Sequence, residues 1–423
     1  MYINSQYKSI NLILCFFAGA IIPILIWIMI PNNLEDIAPE EHHTTFKGRS
    51  TKTDTSDNGQ SNRKTASLSK TYFTESVEAY NNGNWYTAWQ KIEKAYELDQ
   101  ENPHYLFHRA RMLHSGRGVV QNTVLAQSIA KVQYNTLRAR GDDFSVFAVA
   151  VMNYWGLGTV KNLNLAKELF ERLSLQKYSP ALTSLGSMYA SGQGTPVNFQ
   201  LAVNYYREAA NNNSGLAMAN LAQYFITSQS PLFNLQKGLA LYRRAANLGN
   251  LQAIRLFGRL NMFGQLIPKN SQKARMWLEK GIELSDPHCM YLFANFWIAR
   301  NDFLKAKEWL EKGAQQHNPS AMYTLGNLYL YGQGVITNYQ QARKWFSNAA
   351  NHNFVQGWTA LGRMHFYGQG VLKNYSTAYK WFEKAANYRD AQAIEFLIEM
   401  YSTGLGVEKN EGKVRQLRQL LSK

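Results

Sequence analysis

One pattern of residues recurs along most of this chain at intervals of about 36 positions, and this interval constrains the fold more than any other feature. Two near-identical copies cover residues 320–390, where every matched residue of the second copy lies 36 positions after its counterpart. Each copy contains a Leu-Gly pair, a Gly-Gln-Gly-Val turn, an asparagine, a Trp-Phe pair and an Ala-Ala pair. A fixed period of this length is typical of helical repeat proteins.

The asparagine of the pattern recurs outside these two copies, six residues after the first turn glycine. Two repeats keep it with weakened glycines, and one repeat that lacks the loop has aspartate instead. The capping residues are Asn122, Asn162, Asn198, Asn234, Asn270, Asp302, Asn338, Asn374 and Asn410. Such side chains accept a hydrogen bond from a free N–H at the start of a helix, and glycine permits the positive φ of a chain reversal. Each repeat is therefore predicted to be a first helix, a glycine turn, a cap and a second helix.

Small residues in both helices predict close packing between them. The Leu-Gly pair of the first helix and the Ala-Ala pair of the second helix let neighbouring backbones approach, and the aromatic pair fills the space that remains. A single helix pair cannot bury both of its faces, so the repeats must stack. The predicted fold is all-α, a right-handed α-solenoid of stacked antiparallel helix pairs.

The full pattern, A-x3-LG-x2-Y-x2-G-x-GV-x3-N-x3-A-x2-WF-x2-AA, resembles that of the Sel-one-like repeat family, a subclass of tetratricopeptide-type helical repeats. The resemblance covers roughly residues 103–423, as nine repeats. It implies a protein that holds partners in envelope assembly, polysaccharide export, flagellar motor assembly, peptidoglycan-linked complexes or host interaction. It does not choose among these, and it implies no reaction.

The region before the repeats begins with an apolar segment. Residues 12–30 carry no charge and would span about 28 Å as a helix, close to the hydrocarbon thickness of a bilayer. We predict a transmembrane signal anchor there, preceded by a cytoplasmic tail at 1–11. A cleaved signal peptide and a lipoprotein site at Cys15 are alternatives. No small residues follow the apolar run at residues 30–32, the small residues at 18–20 have only a short apolar run before them, and Leu14 before Cys15 is not small.

Charges around this segment predict its orientation. Lys8 precedes it, whereas four acidic residues and no lysine or arginine follow it before Lys47. By the positive-inside rule the N-terminus is cytoplasmic and the repeats lie outside. This means the periplasmic side of the inner membrane in a Gram-negative bacterium, which the simple anchor-plus-repeat layout favours, or a secretory lumen in a eukaryote.

Two further segments connect the anchor to the repeats. Residues 31–70 are rich in Ser, Thr, Asn, Lys and Asp, a composition that cannot support a core, so we predict a flexible linker. Residues 71–102 resemble one tetratricopeptide hairpin and are predicted to cap the array. At the other end, the helix that starts at Asn410 has the polar outer face expected of a terminal helix.

The sequence contains no recognisable catalytic or metal-binding motif. The glycine turns lack the third glycine and the preceding strand of a dinucleotide site, and the two cysteines allow no disulfide framework in the repeats. His104 and His108 lie four apart, near His114, but no carboxylate stands beside them in the sequence. We therefore expect no enzyme, no cofactor, no metal and no nucleic acid partner.

The charge of the chain indicates either an acidic partner or a need for solubility. The net charge is +16, and residues 1–70 hold seven Lys and Arg against six Asp and Glu, so +15 belongs to the remainder. An acidic protein, a phospholipid surface or an acidic polysaccharide would each fit a basic solenoid. The alternative is that the excess of cations only keeps a long solenoid in solution.

A partner is expected on the inner curve, which the first helices line in related repeats. The predicted partner-binding residues are Arg111, Arg255, Arg259, Tyr291, Tyr323 and Arg363. Arginine and tyrosine carry much of the binding energy at many interfaces, although these positions could also be ordinary solvated ones. The sequence thus predicts a membrane-anchored, non-enzymatic scaffold that binds protein partners. The alternatives are a binder of anionic glycan, such as an exopolysaccharide or peptidoglycan adaptor, and a host-interaction factor.

Overall fold

A computed structural model describes residues 58–422, which form twenty α-helices and no strand. The helices are α1 (Asn58–Asn82), α2 (Trp85–Leu98), α3 (Pro103–Ser115), α4 (Thr123–Arg140), α5 (Asp143–Trp155), α6 (Leu163–Ser174), α7 (Ser179–Ser191), α8 (Phe199–Asn211), α9 (Gly215–Ile226), α10 (Leu235–Asn247), α11 (Leu251–Phe263), α12 (Ser271–Glu283), α13 (Pro287–Ile298), α14 (Phe303–Gln315), α15 (Pro319–Tyr331), α16 (Tyr339–Asn351), α17 (Val355–Tyr367), α18 (Tyr375–Ala386), α19 (Ala391–Thr403) and α20 (Glu411–Leu421). The predicted all-α class is confirmed.

The helices from α3 onward form nine consecutive pairs, each with an odd-numbered first helix and an even-numbered second helix. The two helices of a pair pack against each other, and each second helix packs against the next first helix. First helices of some neighbouring pairs also touch directly, as α3 with α5 and α11 with α13 do. The predicted solenoid of stacked pairs is therefore confirmed.

Every predicted capping residue begins a second helix. The Oδ1 atom of Asn338, for example, accepts a hydrogen bond of 2.9 Å from the N–H of Gln341. The turn glycines also behave as predicted, because Gly332 ends α15 with φ +67°. One of the two repeats with weakened glycines differs, since Thr227, which follows α9, is extended instead of left-handed.

A second set of caps, at the starts of the first helices, was not predicted. Their side chains accept hydrogen bonds from N–H groups two or three residues later. They are Asn102, Asp142, Ser214, Asn250, Asp286, Asn318 and Asp390. In most of them the preceding residue has a positive φ, as Asn213 and Ser285 do. The turn between pairs thus uses one left-handed residue followed by one polar cap.

The Leu-Gly glycines lie where a second helix comes closest to its partner. A Cβ on Gly326 would stand 2.5 Å from Cε1 of Phe346, and one on Gly362 would stand 2.5 Å from Cε1 of Phe382. Such distances are far inside van der Waals contact, so a methyl group at either position would push the pair apart. The predicted role of these glycines in close packing agrees with this geometry.

The N-terminal hairpin is longer than predicted. Helix α1 begins at Asn58, so the last part of the expected linker at 31–70 is helical instead of flexible. Ser69 is buried and accepts a hydrogen bond from the hydroxyl of Tyr105. The prediction was wrong here because this stretch is rich in small polar residues, which are typical of linkers but in this helix pack and form hydrogen bonds. The predicted tail at 1–11 and anchor at 12–30 lie outside the described residues.

The last helix has the character expected of a cap. In α20 only Val414 is buried, and the opposite face is exposed to solvent. None of the helices between residues 58 and 422 combines the length and the apolar character that a bilayer-spanning segment needs.

Replacing Asn338 by alanine should lower the free energy of unfolding by about 1 kcal/mol, because the N–H of Gln341 loses its acceptor. Urea unfolding of the variant and the wild-type protein measures the change. Gln341→Ala is the control, because its exposed side chain lies in the same turn but accepts no capping hydrogen bond. An equal loss in both variants would contradict the capping role.

Candidate functional site

The six predicted partner-binding residues all lie on first helices, but they are spread from the first pair to the eighth. Arg111 lies on α3, Arg255 and Arg259 on α11, Tyr291 on α13, Tyr323 on α15 and Arg363 on α17. We call the side of the solenoid that is formed by the first helices, the odd-numbered helices from α3 to α19, the first-helix face. The structure gives these residues different surroundings, so they do not form one continuous surface.

Arg111 is buried, which corrects the prediction that it faces a partner. Its side chain is 2% exposed, and its guanidinium lies 3.7 Å from the centre of the Tyr80 ring. Burial lowers the pKa of Arg111 to about 10. The reason is the N-terminal hairpin, whose helix α1 brings Tyr80 across α3 and fills this part of the first-helix face.

The tip of the hairpin also reaches repeats that lie more than a hundred residues later. The N–H of Gly215 donates to Oδ1 of Asn82 over 3.0 Å, and Nδ2 of Asn250 donates to the carbonyl of Asn82 over 2.9 Å. The N–H of Leu251 donates to the carbonyl of Gly83. The hairpin therefore bridges pair 1 to the starts of α9 and α11, and it partly occupies the first-helix face between them.

Arg255 already has a partner within the chain. Its Nε and Nη2 atoms each lie 2.6 Å from an oxygen of Asp286, whose side chain is fully buried. The hairpin lies close to this pair, since Nε2 of Gln90 donates to Oγ of Ser285. Burial raises the pKa of Tyr86 to about 12, and Asp286 adds to the rise. Arg255 thus stabilises the solenoid instead of standing free for a partner.

The remaining predicted residues are half-buried. Arg259 forms no ion pair with any residue of the described chain. Tyr291 lies against the ring of His288. Tyr323 packs between Phe346 and Phe354, each 5.7 Å away between ring centres. These tyrosines are in large part core residues of pairs 6 and 7.

Three side chains of α15 and α17 lie close together on a part of the first-helix face that the hairpin does not cover. Nη2 of Arg363 donates to the hydroxyl of Tyr331 over 2.9 Å. Tyr331 is 48% exposed and Tyr367 is 51% exposed. We call these three residues the Tyr-Arg-Tyr surface. Sequence reasoning did not single out these two tyrosines; each directly precedes a turn glycine, and that position was the available signal.

The histidines and the cysteine of the described residues are not gathered into a metal site. No three His, Cys, Asp or Glu side chains between residues 58 and 422 lie close enough to hold a metal ion. His104 is hydrogen-bonded to Ser145 at 2.8 Å, whereas His108 is buried, and burial holds its pKa well below the usual value. Burial likewise raises the pKa of the Cys289 thiol, which disfavours the reactive thiolate.

These features define a class: a helical repeat protein whose stacked pairs present side chains along a surface. The family profile described as Sel1 repeat matches eight consecutive segments, which together make up more than half of the chain. They are residues 144–178, 179–214, 215–250, 252–286, 289–318, 319–354, 359–387 and 391–413. The chain therefore belongs to the Sel1 repeat family, whose members generally act as scaffolds for protein–protein interaction. The first helix pair, α3 and α4, lies outside the matched segments.

Two solved structures share this fold. One is a protective antigen from uropathogenic Escherichia coli, 21% identical, with a TM-score of 0.51 over 87% of this chain and 79% of that one. The other is a Sel1 repeat protein from Oxalobacter formigenes, 19% identical, with a TM-score of 0.51 over 74% of this chain and 90% of that one. No curated protein sequence gives a significant match.

Gly83→Ala should detach the hairpin tip from α11. Gly83 has φ +79°, and an added Cβ would overlap the side-chain amide of Asn250. We expect a loss of about 1–3 kcal/mol in unfolding free energy, with faster hydrogen exchange at the amides of Gly215 and Leu251. Gly141→Ala is the matched control, because Gly141 has φ +72° and no atom within 4 Å of the added Cβ. Unchanged exchange at both amides in Gly83→Ala would refute the bridge.

Arg255→Gln should cost about 3 kcal/mol of stability near neutral pH, because it leaves the buried Asp286 carboxylate unpaired. Burial alone would raise the pKa of Asp286, but Arg255 more than offsets this and holds it below the usual value. A lowered folded-state pKa stabilises the protein above the unfolded-state pKa, and this contribution is lost as the pH falls through the lowered value. Urea unfolding over a pH series should therefore show the difference between variant and wild type shrinking in acid. A difference that stayed constant with pH would count against the ion pair.

Proposed function

We propose that this protein is a membrane-anchored scaffold of the cell envelope that binds a protein partner through the Tyr-Arg-Tyr surface. The observation that carries the proposal is the pairing of exposed aromatic rings with an arginine on the part of the first-helix face that the hairpin leaves open. The membership of the chain in a family of interaction scaffolds supports the general role.

The chemistry of the Tyr-Arg-Tyr surface suits a protein partner. Tyrosine provides a large apolar ring together with a hydroxyl, and it has few rotatable bonds to immobilise on binding. Arg363 provides a planar donor that can bind a carboxylate or a backbone carbonyl. Tyrosine and arginine are enriched among the residues that dominate binding energy at interfaces. A partner that buries both rings would shield the guanidinium between them from water.

The site of action is proposed from the sequence of residues 1–57. The uncharged segment at 12–30 would anchor the chain in the inner membrane, with the repeats on the periplasmic side of a Gram-negative cell. A phosphatase reporter fused after Lys423, which is active only outside the cytoplasm, tests this topology. Activity from a cytoplasmic reporter at the same place, without phosphatase activity, would overturn the proposed orientation.

Removing the Tyr-Arg-Tyr surface should abolish partner capture without unfolding the protein. A photoreactive amino acid in place of Asn327, which lies half-buried on α15 near this surface, would crosslink the partner in cells that naturally make the protein. We expect Tyr331→Ala with Arg363→Glu and Tyr367→Ala to reduce the crosslinked product at least tenfold, as the loss of a hot spot worth about 2 kcal/mol implies.

The control carries Tyr388→Ala, which removes an equally exposed tyrosine, 51%, from the turn after α18. It should leave the crosslinked product unchanged. Thermal unfolding of each variant checks that the solenoid remains intact. A crosslinked product that survives the triple substitution would refute the proposed surface, while the family membership would stand.

A further inference from the structure

A basic cleft lies between the second helices of pairs 7 and 8, away from the Tyr-Arg-Tyr surface. Helices α16 and α18 form its walls and α17 forms its floor. Its volume is about 330 Å³. The lining residues are Gln340, Arg343, Lys344, Ser347, Leu361, His365 and Trp381. No carboxylate is among them, although the cleft holds two cations.

Comparison with other repeats explains why Arg343 in this cleft has no ion-pair partner. In four other pairs, the residue five positions after the cap contacts a glutamate four residues later. These contacts are Lys167 with Glu171, Arg275 with Glu279, Lys307 with Glu311, and Tyr379 with Glu383. In pair 7 the corresponding residues are Arg343 and Ser347, so the internal acceptor is missing. Neither Arg343 nor Lys344 forms an ion pair with any residue in the described part of the chain.

The neutral groups of the cleft are also free to bind. The side chains of Gln340, Ser347 and Trp381 form no hydrogen bond with another residue between 58 and 422. Nδ1 of His365 is buried and has no hydrogen-bond partner. Burial, with Arg343 nearby, lowers the pKa of His365, so its ring is neutral at neutral pH and can donate or accept.

A second cleft occupies the equivalent place between pairs 4 and 5. There Asn261 stands at the position of His365, and Trp277 at the position of Trp381. Its volume is about 250 Å³, and Phe257, Ile267 and Pro268 contribute to its lining. The stacking of pairs therefore produces a cleft at this point of the repeat, and the side chains of each repeat decide what it can hold.

We propose that the cleft between α16 and α18 binds an acidic sugar unit of a polysaccharide, a hexuronate. One such unit carries a single carboxylate, several hydroxyl groups and an apolar C–H face. The cleft offers Arg343 and Lys344 for the carboxylate, the amide of Gln340 and the hydroxyl of Ser347 for sugar hydroxyls, and the indole of Trp381 for the apolar face. This site is separate from the Tyr-Arg-Tyr surface and does not depend on it.

An acidic peptide is the competing ligand, and the lining favours the sugar. A glutamate side chain would engage the two cations but would leave the indole, the amide and the hydroxyl without a role. A pyranose ring bears polar groups around its edge and an apolar face. This matches a site whose cations, amide and hydroxyl line one wall on α16, with the indole of Trp381 on the opposite wall and His365 on the floor. The volume also suits one sugar ring with its substituents.

Calorimetric titration of the full chain in detergent with a galacturonate trimer tests the proposal. Ser347→Glu is the sharpest variant, because it restores the glutamate that other repeats carry and should pair with Arg343 at a spacing that favours ion pairs in helices. We expect it to weaken binding at least tenfold. Arg343→Gln with Lys344→Gln should do the same if Ser347→Glu does not fold. Gln416→Glu, which makes the same change of charge on the exposed face of α20, should bind as the wild type does.

Three outcomes overturn the proposal. They are no heat of binding at low salt, binding that all the cleft variants leave intact, and equal binding of a triglutamate peptide, which would assign the cleft to acidic peptide. Weak binding of a neutral galactose trimer, together with loss of galacturonate binding in Ser347→Glu, supports it. Partner crosslinking at the Tyr-Arg-Tyr surface should be unaffected by Ser347→Glu, so the two proposals fail or survive separately.

Discussion

Pairs 7 and 8, the two copies that match the repeat pattern best, each depend on a phenyl ring that lies against a glycine. Phe382 of α18 occupies the space that a Cβ on Gly362 would fill, and its ring stacks on Phe396 of the next first helix with centres 4.5 Å apart. One side chain therefore joins the two helices of its own pair and the pair that follows. Phe346 lies against Gly326 in the same way in pair 7, and the buried residues form several clusters along the array instead of one central core.

The N-terminal hairpin changes what this array can present to a partner. By bridging pair 1 to the starts of α9 and α11, it covers Arg111 and lies close to the Arg255–Asp286 ion pair. On the first-helix face, the side chains that remain available to a partner are therefore those of the later pairs, where Tyr331 and Arg363 are accessible. The cleft between α16 and α18 adds a second chemistry in the same part of the molecule. A scaffold with two unlike surfaces can hold two unlike partners at once.

Local features were the ones that sequence reasoning predicted well. The caps such as Asn338 and the turn glycines such as Gly332 depend on a few neighbouring backbone groups, so residue type and spacing suffice to place them. The caps of the first helices form the same kind of hydrogen bond. They were not predicted because the residue type differs between repeats, as Ser214 and Asp286 show, so no single residue recurs at the repeat interval. Exposure was predicted poorly. Arg111 is buried by a distant hairpin, and Arg255 is paired with Asp286 of the next repeat, so neither is free although both were predicted to bind a partner.

The sequence by itself determined that this chain forms stacked helix pairs, because the interval of 36 residues, the caps and the glycines act within one repeat and its neighbour. Only the tertiary structure decided which arginines are free. Arg111 and Arg363 occupy the same position of the repeat, and Arg255 lies one helical turn before that position in its own repeat, yet one is covered by the hairpin, one is paired with Asp286 and one reaches the surface. The physical reason is that a guanidinium binds whichever groups surround it in space, and here those groups belong to residues more than 30 positions away, one of them in the N-terminal hairpin, which the period does not describe.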